Sequence, residues 1–152
     1  MRFDGKREVS ATRDAVWRTL HDAEVLRELV TGCESLTPRG AGTYAATMAA
    51  RVGPVADRYR GTFTIEDQVA GEELLVRVDA KGRCGRIDLV LRVRLTDGPR
   101  GTTVLTYVAD ARVGGLVSRV SGAALRVFGN HFTGCFFRGL DRVVPARTLV
   151  PA

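Results

Sequence analysis

The chain has 152 residues, 45% of them hydrophobic and 26% charged, which is typical of a single domain, residues 1-152, with one sizeable core. It has no run near the roughly 20 apolar residues of a membrane span and begins without the apolar stretch of a signal peptide, which predicts a cytoplasmic protein. The net charge of +6 comes mainly from arginines spread along the chain without a dense basic block, so we expect no nucleic acid among its partners and only weak, peripheral contact with an anionic membrane.

The first part of the chain predicts one strand followed by two short helices. Residues 3–9 alternate loosely between apolar and polar, which indicates the strand. The polar step Ser10-Ala11-Thr12 offers an N-cap to a helix over Arg13–Leu20, and Asp22 can cap a second helix over Ala23–Leu29. Two helices of this length cannot cover much sheet by themselves.

After these helices the apolar period changes to two and stays there for roughly eighty residues, which indicates a sheet. The predicted strands cover residues 33–37, Thr43–Val52, 58–69, 74–81, 87–95 and 102–111. Their connecting turns contain glycine, several with proline, and are too short for parallel crossovers. We therefore expect about six antiparallel strands in a meander.

The last part of the chain, residues 114–144, predicts one long amphipathic helix. Its mainly apolar sector, in steps of three and four, consists of Val117, Val120, Ala124, Val127, Phe128, His131, Phe132, Cys135 and Phe136. Each glycine inside this helix costs it up to about 1 kcal/mol relative to alanine. The helix must therefore draw its stability from the surface on which it packs.

This order of elements predicts an α+β fold with a cavity. A curved, six- to seven-stranded antiparallel sheet should wrap around the long C-terminal helix, with the two short helices after the first strand closing one end. Small residues such as Ala46, Gly61 and Ala80 share the predicted inner face and fill less volume than a tight core would use. The candidate ligand-binding residues are Tyr44, Met48, Tyr59, Phe63, Val76, Leu89, Leu91, Tyr107, Ala124, Val127, Phe128, His131 and Phe132. Most of them are also residues that any folded sheet would bury as core.

The sequence predicts no catalytic residue and no metal site. We find no Ser, His and Asp set, no phosphate-binding loop and no recurring carboxylate pair. The cysteines Cys33, Cys84 and Cys135 are odd in number and far apart, which favours reduced thiols over disulfides or zinc ligands. Cys33 is either a reactive thiol or a small buried filler. His131 either donates a hydrogen bond to a ligand carbonyl or is a core-edge histidine bonded to the backbone.

Several short stretches are familiar when they are taken together. They are Phe3-Asp4-Gly5, Val16-Trp17, Leu20 with Asp22, Thr31-Gly32-Cys33, Val52-Gly53-Pro54-Val55, Tyr59-Arg60-Gly61, Thr102-Thr103 with Tyr107, Asp110 and Val113-Gly114-Gly115. As a set they resemble the CoxG family of carbon monoxide dehydrogenase, from residue 3 to about residue 137. That family belongs to the START/Bet v 1-like (SRPBCC) helix-grip superfamily.

The resemblance implies a non-catalytic accessory protein of a molybdenum hydroxylase such as aerobic carbon monoxide dehydrogenase, which it would link to the membrane. The implied ligand is apolar, either menaquinone or another isoprenoid quinone, or a lipid, and no cofactor is covalently bound. The sequence departs from the family at Thr31, where members usually carry proline, and it ends at Ala152 without their apolar tail. We therefore expect at most a peripheral position on the inner face of the membrane.

The alternative is an enzyme similar to polyketide cyclases and aromatases, which share the helix-grip fold. Such an enzyme would act on an apolar substrate in the same cavity and would need polar groups inside it. Here only His131, Tyr59, Tyr107 and Asp110 could supply them.

Overall fold

The structure is a computed structural model that describes residues 1–149, with side chains described as far as Val144. Its strands and helices follow the chain in the order β1 (Arg2–Val9), α1 (Arg13–Leu20), α2 (Ala23–Leu29), β2 (Cys33–Gly40), β3 (Thr43–Val52), β4 (Val55–Val69), β5 (Glu73–Lys81), β6 (Gly85–Asp97), β7 (Thr103–Gly115) and α3 (Gly122–Leu149). One-turn 3-10 helices at Pro99–Gly101 and Leu116–Arg119 flank β7.

The seven strands form one antiparallel sheet in the order β1-β7-β6-β5-β4-β3-β2. Strands β2 to β7 are consecutive hairpins, as the short turns predict, and β1 pairs with β7 at the far edge. Because β1 and β2 lie at opposite edges, the chain must cross the whole sheet between them, and α1 and α2 make this crossing. The predicted fold class, a curved antiparallel sheet with a long C-terminal helix, is confirmed.

The two short helices begin at their predicted caps. The hydroxyl of Thr12 accepts a hydrogen bond from the Ala15 amide, 3.3 Å away, at the start of α1. The carboxylate of Asp22 accepts from the amides of Glu24 and Val25 at the start of α2. Each cap satisfies amide groups that have no partner within the helix, which is why these sequence signals fix both helix starts.

The main core lies between the sheet, the two short helices and the C-terminal half of α3. Its most deeply buried members include Val9, Val16, Leu20, Leu26, Leu29, Leu95, Leu105, Phe137, Leu140 and Val144. We call this group the main cluster. Because three layers meet here, residues of α3 are enclosed from the sheet side and from the side of α1 and α2.

A second, smaller cluster lies toward the opposite end of the sheet. Val52, Tyr59 and Val117 are its buried members, and Leu125 and Phe128 of α3 are among the residues that pack against them. We call this group the small cluster. It joins the β3–β4 turn, the 3-10 turn after β7 and the first half of α3.

The long helix begins eight residues later than the sequence predicts. Strand β7 continues to Gly115, which pairs with Gly85 and has a φ of +72°, and a 3-10 turn follows. Ser121 then caps α3, because its hydroxyl accepts a hydrogen bond from the Ala124 amide at 3.1 Å. The prediction missed this because Val117 and Val120 lie at helical spacing from Ala124 although they precede the helix.

Candidate ligand-binding hollow

A row of small residues crosses the inner face of the sheet. Ala46 on β3 pairs with Gly61 on β4, and Gly61 pairs with Ala80 on β5. The inward rows on either side carry larger residues: Tyr44 and Phe63 on one side, Met48 and Tyr59 on the other. A side chain at Gly61 would overlap the backbone of β5, so this position must stay empty. The row therefore forms a trough between two ridges.

Helix α3 crosses this face as a bridge. Its backbone comes close to β1 and β3, near the two edges of the sheet, and to α1 and α2, but less close to the central strands. Gly129 of α3 faces the ring of Phe3 on β1, and Gly53 in the β3–β4 turn faces Val120 and Ala124. The helix is thus supported at its sides, which leaves room beneath its middle.

Three half-buried apolar side chains in this middle region belong to neither cluster. They are Met48 on β3, Leu89 on β6 and Phe132 on α3. The Phe132 ring has the Phe128 ring as a neighbour, with centroids 6.0 Å apart. Large apolar residues between a sheet and its covering helix are normally buried in one continuous core. We call the incompletely filled space above the trough, bordered by these three residues, the central hollow.

The structure places the predicted strand residues on the inner face but divides them among three places. Tyr44, Phe63, Val76, Leu91 and Tyr107 belong to the main cluster or pack against it. Tyr59 is a buried member of the small cluster, while Met48 and Leu89 border the hollow. Of the predicted helix residues, Phe128 packs on the small cluster, Ala124 lies near Gly53, and Phe132 borders the hollow.

Two of the predicted helix residues do not face the sheet. Val127 is 69% exposed and His131 is also exposed, so their placement in the apolar sector is wrong. The Nε2 atom of His131 lies 3.6 Å from the sulfur of Cys135 on the outer side of α3. Neither predicted role of His131, ligand donor or core-edge residue bonded to the backbone, matches this position.

The face of α3 that packs inward follows a pattern that the prediction used only in part. It runs in steps of four through Phe128, Phe132, Phe136, Leu140 and Val144. The predicted sector stopped at Phe136 and so weighted Val127 and His131 too heavily. Extending the periodicity over the last two turns would have located the correct face.

A carboxylate clamp holds the chain next to the small cluster. Asp57 on β4 accepts hydrogen bonds from the backbone amides of Cys84, Arg58 and Arg83, at 2.8, 2.8 and 3.1 Å. These bonds, the one from Cys84 above all, lower the pKa of Asp57 below its usual range. The clamp ties β4 to the β5–β6 turn.

The neighbouring Tyr59 is affected in the opposite direction. Burial, together with the nearby charge of Asp57, raises the pKa of the Tyr59 hydroxyl above its usual value. The group is therefore a neutral O–H donor at any physiological pH.

The thiols and carboxylates in the described part of the chain form no metal site. No cluster of three or more Cys, His, Asp or Glu residues within residues 1–149 could hold a metal ion. Cys33 is half-buried, its thiol donates to the Ser35 carbonyl, and burial raises its pKa, which favours the buried-filler interpretation. Among residues 1–149, no helix combines the length and apolar character needed to cross a bilayer.

Comparison with known proteins adds a family and a set of folds. The family model described as CoxG of carbon monoxide dehydrogenase matches residues 5–144. None of the curated proteins matches the chain. Among solved structures, a conserved protein from Geobacillus kaustophilus is 24% identical with a TM-score of 0.90, and the match covers 96% of each chain.

Two more distant structures share the fold. A START superfamily protein from Mycobacterium smegmatis is 10% identical with a TM-score of 0.74, covering 96% of this chain and 98% of the other. The Zhui aromatase/cyclase from Streptomyces sp. R1128 is 12% identical with a TM-score of 0.69, covering 97% and 95%. The START-like helix-grip fold implied by the sequence resemblance is confirmed.

Proposed function

This chain belongs to the CoxG family of carbon monoxide dehydrogenase, and from that premise we propose that it is a non-catalytic accessory protein that binds an apolar molecule. The ligand is an isoprenoid quinone such as menaquinone, or a lipid, and it occupies the central hollow. The protein serves a molybdenum hydroxylase such as aerobic carbon monoxide dehydrogenase and brings it to the membrane.

The observation that carries this proposal is the incompletely filled middle of the inner face. Met48, Leu89 and Phe132 remain half-buried above a trough of small residues, although a helix covers them. An apolar molecule placed there would remove these side chains from water, and each Å² of apolar surface buried contributes about 25 cal/mol. A filled core would offer no such gain.

The enzymatic alternative has less support at this site. The aromatase/cyclase likeness at 12% identity concerns the fold, and its chemistry would need polar groups in the cavity. Of the four polar candidates, His131 and Asp110 are exposed and lie away from the hollow. The described residues that border the hollow include no carboxylate and no imidazole, so general acid–base catalysis has no obvious pair there.

Contact with an anionic membrane would involve the beginning of α3. Leu116 is 47% exposed and Val127 69% exposed, and the exposed Arg119 and Arg126 lie close to them in the chain. Apolar side chains bordered by arginines suit the interface of an anionic bilayer. We expect binding to vesicles with anionic lipid that weakens at high salt, and a Val127→Ser, Leu116→Ser double variant should bind less. Equal binding to neutral vesicles would contradict this contact.

The binding proposal is tested by native mass spectrometry and solvent extraction of the purified protein. We expect an apolar ligand to be recovered, or a menaquinone with a short isoprenoid chain to bind when it is added. Phe132→Ala should alter the affinity for this probe, whereas Val127→Ala, on the outer side of the same helix, should not. A protein that yields no apolar ligand and accepts neither the quinone nor a lipid would overturn the proposal.

A further inference from the structure

One buried polar group next to the central hollow has no partner. Tyr59 is 3% exposed, and within residues 1–149 its hydroxyl has no hydrogen-bond partner. Buried tyrosine hydroxyls are usually paired, because burying a hydroxyl without a partner costs free energy. Such an exception calls for a partner that the chain itself does not supply.

The nearest charged group is unable to act as that partner. The charge of Asp57 influences the Tyr59 hydroxyl, but the Asp57 oxygens already accept three backbone N–H groups from Arg58, Arg83 and Cys84. The clamp thus satisfies the carboxylate and leaves the phenol without an acceptor.

The Tyr59 hydroxyl is not sealed into the core. Among the described residues, the one side-chain oxygen that is both fully enclosed and unpaired is Thr64 Oγ1, so the Tyr59 oxygen retains contact with open space. Tyr59 also pairs with Met48, a residue that borders the hollow, and lies in the row next to the trough at Gly61. A molecule in the hollow can therefore reach it.

We propose that the Tyr59 hydroxyl donates a hydrogen bond to an acceptor oxygen on the head of the bound ligand. This inference rests on the proposed function and narrows the ligand to an apolar molecule that carries a carbonyl or ester oxygen at one end. The head lies at the Tyr59 end of the hollow, and the hydrocarbon part extends over the trough toward Leu89 and Phe132. A purely hydrocarbon ligand would leave the phenol unpaired.

Tyr107 provides a matched control. It is 8% exposed, and its hydroxyl is also without a partner within residues 1–149, but its ring stacks on Phe137 in the main cluster, with centroids 5.4 Å apart. Its hydroxyl lies over Gly5 on β1, away from the small cluster. Tyr107→Phe therefore makes the same chemical change outside the hollow.

The experiment compares two probes on three proteins. The probes are a 1,4-naphthoquinone with a short isoprenoid chain and the naphthalene that carries the same chain without carbonyls. Tyr59→Phe should weaken binding of the quinone roughly three- to tenfold, the usual effect of one hydrogen bond, and leave the naphthalene unchanged. Tyr107→Phe should leave both affinities unchanged.

The possible outcomes separate the two proposals. If the wild-type protein binds both probes and Tyr59→Phe weakens neither, or weakens both equally, the hydrogen bond is overturned while apolar binding stands. If the wild-type protein binds neither probe and no lipid, the proposed function fails and the hydrogen bond with it.

A second measurement needs no variant. The carbonyl stretching frequency of the quinone bound to the wild-type protein should lie below its value in hydrocarbon solvent, because a hydrogen bond weakens the C=O bond. An unshifted frequency would overturn the proposal, and in Tyr59→Phe the frequency should return to the hydrocarbon value.

Discussion

The C-terminal half of α3 is buried far more deeply than its N-terminal half. Leu140 and Val144 are 0% exposed and Phe137 is 7% exposed, whereas Phe132 is half-buried and Val127 is 69% exposed. The difference follows from the neighbours. The C-terminal half meets α1 and α2 as well as the sheet, while the N-terminal half meets the sheet, nearby turns and a cluster with only three buried members.

This contrast shows how one helix can serve stability and binding at once. Close packing at one end holds the helix on the sheet, so the other end need not fill the space beneath it. At Gly139 the helix backbone lies so near Leu29 of α2 that an added methyl group would clash with that side chain. A hollow under the N-terminal half therefore costs little stability, because the main cluster already fixes the position of α3.

The largest effect is expected from Leu140→Ala, which tests the buried half. Leu140 is fully enclosed, so its removal should lower the free energy of unfolding by about 2 to 5 kcal/mol through lost burial and the cavity left behind. Chemical denaturation measures this change, with the exposed Val127→Ala as control, which should stay within about 0.5 kcal/mol. A loss for Leu140→Ala as small as that of the control would contradict the contrast.

A smaller loss of stability is expected from Phe132→Ala, which tests the half above the hollow. A fully packed phenylalanine costs about 3 to 5 kcal/mol when it is truncated to alanine. Phe132 should cost less, because part of its ring faces incompletely filled space and loses few packed neighbours. The same variant should change the affinity for an apolar probe more than it changes stability. A loss equal to that of Leu140→Ala would identify Phe132 as ordinary core.

The acid dependence of the Asp57 clamp tests the end of the sheet beside the small cluster. Because backbone hydrogen bonds lower the folded-state pKa of Asp57, its contribution to stability is complete above the ordinary aspartate pKa of about 4. That contribution should be lost as the pH falls from this value through the lower folded-state pKa.

Hydrogen exchange at the Arg83 and Cys84 amides, compared between the wild-type protein and Asp57→Asn, measures this loss. These amides should be protected in the wild-type protein near neutral pH and less protected in the variant, and the difference should shrink in acid. A difference that does not depend on pH would show that the carboxylate charge is not what holds the turn.

The smallest effect is expected from His131→Leu on the outer side of α3. Since His131 is exposed and its ring contacts Cys135 on the same helix, the change should leave both the stability and the affinity for an apolar probe nearly unaffected. Titration with the quinone probe measures the affinity. A clear loss of affinity would return His131 to the binding wall and reverse the placement of the two faces.

The sequence predicted most elements well because their signals are local. Thr12 and Asp22 cap α1 and α2 at the predicted residues, and the period of two predicted every strand of the sheet to within a few residues. The candidate site was predicted less well. Its strand residues lie on the inner face because strand alternation allows only two faces, but a helix can be rotated by any amount, and Val127 and His131 fell on the wrong side.

The sequence by itself determined the order of strands and helices, the antiparallel pairing of neighbouring strands and the caps of the short helices. Each of these depends on hydrogen bonds and turns between residues close together in the chain. Only the tertiary structure decided where α3 begins, which of its faces packs inward and which residues border the hollow. These features depend on contacts between distant segments: α1 and α2 enclose Leu140, and the row of Ala46, Gly61 and Ala80 comes from three strands. The unpaired hydroxyl of Tyr59 has the same origin, because the amides of a distant turn occupy the carboxylate of Asp57.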